Sequence, residues 1–144
     1  MTATFEVLAE PNRRRILDLL RAAGAPLRFE FEGGEGPTVE GEMLVYEPPA
    51  VLEFRWGFEL LRFELQPQDA GTVLTFVNTF DDLGKAARDG AGWHSCLDLL
   101  GYAVAGETPP WDANERWGQV HPRYVDAFGP EAATIGPPEG HPAG

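Results

Sequence analysis

Hydrophobic and polar positions change their spacing twice along this chain. Phe5, Leu8, Ile16, Leu17 and Leu20 recur at helical intervals, which predicts helix over residues 3–22 in two segments parted by Pro11. Pro11 suits the first turn of the second segment, and Gly24 with Pro26 ends it. From Pro26 the period becomes two: Leu27, Phe29 and Phe31 alternate with Arg28, Glu30 and Glu32, as in a half-buried strand. Four more strands are expected over Val39–Glu47, Val51–Trp56, Glu59–Gln66 and Thr72–Phe80. In the third strand Leu52, Phe54 and Trp56 share a face, and in the fourth Leu61, Phe63 and Leu65 do. The breaks between strands carry turn residues: Gly33, Gly34, Gly36 and Pro37, then Pro48-Pro49, then Asp69-Ala-Gly71. Short connections between evenly spaced strands describe an antiparallel meander.

Beyond Phe80 the period returns to 3.6. Asp81-Asp82 is a helix-start signal, and Lys85 to about Ala105 is expected to be one long helix. Trp93, Leu97, Leu100 and Val104 form an apolar stripe along it. Thr108-Pro-Pro110 ends that helix, and a shorter one follows from about Asp112 to Phe128, containing Trp117, Val120, Tyr124 and Pro122. Residues 129–144 hold four prolines and four glycines and read as a flexible tail from 131 onward. The expected fold class is α+β: a curved antiparallel sheet of about five strands gripping a long C-terminal helix. Such a grip leaves an apolar pocket suited to a small ligand.

Composition narrows the function classes. The chain has 144 residues, 43% hydrophobic and 24% charged, which suits one globular domain. No apolar run reaches the ~18–20 residues of a membrane span, and MTATFEVLAEPNRRR lacks the order of a secretory signal. The single cysteine, Cys96, excludes an internal disulfide and a multi-cysteine zinc site. A cytoplasmic location is expected, with no membrane partner. The net charge is −12. Arg13, Arg14, Arg15 and Arg21 against Glu6, Glu10 and Asp18 leave the first 23 residues at +1, so the remainder carries −13. A chain this acidic repels phosphate backbones, so no nucleic-acid partner is expected. The three arginines read as a solvated helix face.

No catalytic constellation emerges. His94, Cys96 and Asp98 lie close on the long helix, but residues two apart point to opposite sides, so a Cys–His nucleophile pair does not form. Cys96 reads as a core residue, and Asp98 is placed to orient His94. His94, His121 and His141 have no metal-ligand spacing, and Gly33-Gly34-Glu35-Gly36 lacks the setting of a dinucleotide loop. Neither a metal nor another cofactor is expected. The aromatic residues are the remaining lead. Phe54, Trp56, Phe63, Phe76, Trp93 and Leu97, with Phe29, would line an apolar cavity, with His94 as its polar handle.

Two stretches resemble known families. Val39-Glu-Gly-Glu-Met-Leu-Val-Tyr-Glu-Pro-Pro49, Leu52-Glu-Phe-Arg-Trp-Gly57, Leu61-Arg-Phe-Glu-Leu-Gln-Pro67, Gly71-Thr-Val-Leu-Thr-Phe76 and Ala91-Gly-Trp-His-Ser-Cys-Leu-Asp98 continue into Trp117…His121-Pro-Arg-Tyr124…Phe128-Gly-Pro130. This ordered series, over about 27–138, resembles the SRPBCC (START-type helix-grip) superfamily, in its subgroup similar to the activator of Hsp90 ATPase. Residues 4–22 instead resemble the opening helices of ArsR-type winged-helix repressors, without that domain's recognition helix or wing.

Together the resemblances imply an ArsR-like helical segment (1–25), a helix-grip domain lacking its first strand and short helices (26–130), and the tail (131–144). The N-terminal helix would then occupy space left by the missing unit. A missing strand leaves a sheet edge open, so a homodimer is expected. The expected function is non-catalytic binding of a small hydrophobic ligand. Two alternatives stay open: an ArsR-type transcriptional regulator and an Hsp90-activator-like interaction domain.

Overall fold

The structure is a computed structural model and describes residues 23–30 and 38–137. The expected N-terminal helix (3–22), Phe31, the glycine turn from Gly33 to Pro37 and the end of the tail lie outside the described residues. The chain divides between Asp81 and Asp82 into two units, the first built of strands and the second of helices.

The strands are β1 (Pro26–Phe29), β2 (Val39–Glu47), β3 (Val51–Trp56), β4 (Glu59–Gln68) and β5 (Gly71–Thr79). They pair antiparallel in chain order, as a meander. The two-residue period sorts their side chains. Met43 lies opposite Phe54, Phe54 opposite Leu61, Leu52 opposite Phe63, and Phe63 opposite Phe76, all on one face. Met43 and Leu61 are 2% and 1% exposed and anchor this unit. The other face carries paired charges. Arg62 donates across to Glu53 of β3 and along its own strand to Glu64, and Arg55 donates across to Glu42 of β2.

A register shift between Met43 and Val45 makes Leu44 the extra residue of a bulge. Without it, the phase that puts Met43 inward would also turn Glu47 onto the apolar face; with it, Tyr46 lies opposite Leu52 instead. Trp56 pairs with Glu59 across a two-residue turn whose Gly57 has φ +61°, and Gln68 pairs with Gly71 across a turn whose Asp69 has φ +51°. Both turns need the left-handed region, which glycine and aspartate tolerate.

In the second unit a 3₁₀ turn (Leu83–Lys85), capped by the Asp82 carboxylate accepting from the Gly84 N–H at 3.0 Å, leads into α1 (Ala86–Ala105). Gly106, at φ +72°, ends α1, and the Glu107 N–H closes onto the Tyr102 carbonyl. Asp112 caps α2 (Ala113–Phe128) by accepting from the Glu115 N–H at 2.8 Å.

The expected stripe of Trp93, Leu97, Leu100 and Val104 is not the buried line of α1. Ala87, Ala91 and Ser95, at four-residue intervals, are buried, while Trp93, Leu97 and Leu100 are half-buried and Val104 is 81% exposed. The reason is volume. The Tyr124 ring of α2 lies directly over Gly90, and Ala91 packs with Trp117, Val120 and Tyr124. Helices approach this closely only where one of them presents small residues. Order also continues past 131, where composition predicts a tail. Pro130–Ala133 form a 3₁₀ turn that buries Ala132, and the Ile135 N–H donates to the Gly84 carbonyl at 3.0 Å. Gly84 makes room for this, because a Cβ there would collide with the Thr134 hydroxyl.

Candidate functional site

One face of the sheet carries a continuous row of rings. Phe29 stacks on Phe54 with centroids 5.6 Å apart and meets Trp56 edge-on at 6.4 Å. Phe54 stacks on Phe63 at 6.1 Å, and Phe63 meets Phe76 at 4.8 Å. These are the separations at which aromatic pairs attract beyond simple burial. The row runs from β1 to β5 and passes directly from Phe29 of β1 to Phe54 and Trp56 of β3, across β2. Gly41 makes the continuity possible. It lies opposite both Leu27 and Trp56, and the Phe29 ring sits 3.4 Å from where its Cβ would be. A side chain at 41 would also strike the Arg55 carbonyl. Phe29 therefore reaches across β2 to the rings of β3. Of the expected cavity residues, Phe54, Trp56, Phe63 and Phe76 are brought together here.

Two polar side chains interrupt this face, and the sequence reading missed both. Glu59 lies opposite Trp56, and Asn78 lies opposite Leu61. The Asn78 amide donates to the Glu59 carboxylate at 2.8 Å, and both residues are half-buried. The signal was present in the alternation: Glu59 is in phase with Leu61, Phe63 and Leu65, and Asn78 with Leu74 and Phe76.

The remaining expected site residues, Trp93, His94 and Leu97, are half-buried on α1 in the second unit. His94 joins a polar network between α1 and α2. Its Nε2 lies 3.3 Å from the Asp98 carboxylate, and its Nδ1 is 3.0 Å from the Tyr124 hydroxyl. With Nε2 carrying the proton toward Asp98, Nδ1 accepts from the tyrosine O–H. Asp98 also accepts from the Arg116 guanidinium at 2.7 Å. Burial, and then the Asp98 charge, push the Tyr124 phenol up from its usual range, so it remains an O–H donor at neutral pH. Burial likewise raises the Cys96 thiol, which keeps it from acting as a thiolate. His121 stacks on Trp117 with centroids 4.3 Å apart. Its Nε2 is buried without a hydrogen-bond partner, and burial lowers its pKa. Chemically, the network ties two helices together and presents no activated nucleophile. Among the described residues no group of three or more His, Cys, Asp or Glu side chains could hold a metal ion.

The family model described as "Activator of Hsp90 ATPase homolog 1-like protein" matches residues 12–105. The chain belongs to this family. Within the SRPBCC superfamily, this Hsp90-activator-like chain is matched from Asn12 through all five strands to Ala105, the last residue of α1. The match therefore opens inside the segment that resembles ArsR-type helices. Among solved structures, the chain is similar to CalU16 from Micromonospora echinospora, determined by solution NMR. The two are 20% identical with a TM-score of 0.56, over 88% of this chain and 76% of that one. This likeness shows the fold, an α+β helix-grip arrangement with a five-stranded antiparallel sheet and a long helix. No curated protein matches the chain. Among the described residues no helix is long and apolar enough to cross a membrane.

Proposed function

We propose that this Hsp90-activator-like domain binds a small hydrophobic ligand on the aromatic face of its sheet and performs no chemistry on it. The observation that carries this reading is the row Phe29, Phe54, Phe63, Phe76, flanked by Trp56, with the Glu59–Asn78 pair on the same face. Rings supply a broad apolar platform, while a few polar groups on such a surface set orientation. A ligand fitting that pattern is flat and largely apolar, with one hydrogen-bond donor directed at the Glu59 carboxylate. Family membership supports a ligand-binding or Hsp90-activator-like module.

Titration with Nile red, a neutral aromatic dye, tests the reading. The wild-type chain is expected to bind it, and Phe63→Ala, which removes the ring joining Phe54 to Phe76, to bind it about tenfold more weakly, as loss of roughly 1.4 kcal/mol implies. Equal binding by both chains, with unchanged circular dichroism, would refute it. Native mass spectrometry of protein purified without denaturant gives the mass of any retained molecule.

The family's printed description supports a second reading, in which the chain engages Hsp90. Capture of purified Hsp90 by the immobilised chain discriminates the two, and no capture is expected. A role in DNA binding is disfavoured by the net charge of −12. Its check is a mobility shift at low salt, with no shift expected at micromolar protein.

A further inference from the structure

We propose that the Tyr46 hydroxyl is a second polar anchor on the aromatic face, and that the ligand is an elongated apolar molecule carrying a neutral hydrogen-bond acceptor, a carbonyl or ether oxygen, at its β2 end. This rests on the reading that the face binds a small hydrophobic ligand. The bulge in β2 is what places Tyr46. Met43 is 2% exposed and lies opposite Phe54, and unbroken alternation from it would bring Val45 and Glu47 to the same face. Leu44, as the extra residue, moves the phase by one. Tyr46 then lies opposite Leu52, while Val45 and Glu47 lie opposite Glu53 and Val51. Re-aiming one side chain is a common use of such a bulge. Its result here is a phenol on the apolar face, where a valine and a carboxylate would otherwise stand.

Register sets Tyr46 in line with the rings. Tyr46 lies opposite Leu52, Leu52 opposite Phe63, and Phe63 opposite Phe76, one row across four strands. The backbone just beyond it is fixed, because the Ala50 N–H donates to the Glu47 carbonyl at 2.8 Å and closes the turn into β3. Neighbouring strands are about 4.8 Å apart, so Tyr46 stands about 10 Å from Phe63, with Leu52 between them. Asn78, three strands away on β5, is at the opposite margin of the face. There the Asn78 amide is bonded to Glu59. Tyr46 is half-buried, and its hydroxyl makes no hydrogen bond among the described residues. A phenol can both donate and accept, but its oxygen shares electrons with the ring and donates better than it accepts. The group it suits is therefore an acceptor. That acceptor is neutral, since a chain at −12 with Glu59 on the same face repels a carboxylate or sulfonate.

Two dyes that differ by one carbonyl test this on the full-length chain. Prodan is a naphthalene with a dimethylamino group at one end and a propionyl carbonyl at the other, and 2-dimethylaminonaphthalene lacks the carbonyl. Both are titrated into wild type and into Tyr46→Phe, which keeps the ring, removes only the oxygen and should leave circular dichroism unchanged. Wild type is expected to bind both dyes. Tyr46→Phe is expected to bind prodan about fivefold more weakly, the worth of one neutral hydrogen bond, and the carbonyl-free dye as tightly as wild type does. Bound prodan should also emit further to the blue in the variant, because a hydrogen bond to its carbonyl lowers the emitting state. Equal weakening of both dyes would make Tyr46 a packing residue, and no weakening of either would remove it from the site; each result overturns the proposal. A wild type that binds Nile red but not prodan overturns this proposal alone. One that binds none of the three dyes overturns the ligand-binding reading with it.

Discussion

Of the glycines inside the two helices, Gly90, Gly101 and Gly118 differ in their surroundings, and the structure predicts that alanine at the first acts opposite to alanine at the other two. Gly101 in α1 and Gly118 in α2 have nothing within 4 Å of where a Cβ would stand. Replacing either with alanine removes the entropic cost of glycine in a helix and meets no obstacle, for a gain of about 0.5–1 kcal/mol each. Gly90 is different. Its Cβ would lie 2.8 Å from Tyr124 Cδ1 and 3.0 Å from Cε1, where carbon atoms prefer roughly 3.5–4.0 Å. The ring cannot swing away freely, because its hydroxyl is bonded to His94 and its edge meets Phe128 at 5.5 Å. Overpacking of this kind costs about 1–3 kcal/mol, and straining the His94 bond adds up to about 1. Set against a propensity gain of about 1 kcal/mol, Gly90→Ala should be destabilising by about 1–2 kcal/mol. Urea unfolding followed by circular dichroism at 222 nm reads the three variants together, as shifts of midpoint at constant slope. An upward shift for Gly90→Ala equal to that of Gly101→Ala would show that Tyr124 does not hold the helices at this distance.

Leu61, 1% exposed at the centre of the sheet, should cost about 2–5 kcal/mol when truncated to alanine, read as the urea midpoint by tryptophan fluorescence; a loss under 1 would contradict its placement. Asp112→Ala removes the cap on the Glu115 N–H and should cost about 1 kcal/mol, with Asp112→Asn recovering most of it. Burial holds the His121 pKa below its unfolded value of 6.5, so the folded chain binds fewer protons there than the unfolded one in acid. That contribution to stability is present above 6.5 and is lost as pH falls below it. His121→Phe keeps the ring stacked on Trp117 and should lose less stability than wild type between about pH 7.5 and 5.5; identical losses would remove His121 as the cause.

Much of the local structure was legible because the backbone imposes its own period. A two-residue alternation interrupted by Pro48-Pro49, Gly57 and Asp69 marks β2 to β5 almost to the residue, since those positions are where an extended chain must stop or turn. Asp82 and Asp112 announced helix starts by the same local logic, a carboxylate beside unsatisfied N–H groups. The resemblance in the ordered strand and helix motifs likewise pointed to the family that the chain belongs to. Long-range partners decided the rest. Met43-Leu44-Val45 is apolar throughout, so either phase was open until pairing with β3 made Leu44 the bulge. The line of α1 that is buried follows the small residues Gly90 and Ala91, because the bulk of Trp117 and Tyr124 on α2 needs that space. Glu59 and Asn78 meet only because antiparallel pairing brings together residues 19 apart in the chain. The rings of β1 and β3 touch only because Gly41 leaves a gap between them. Periodicity belongs to the chain, and sequence alone determines it; contact depends on which volumes and registers meet, and those exist only once the strands and helices have packed.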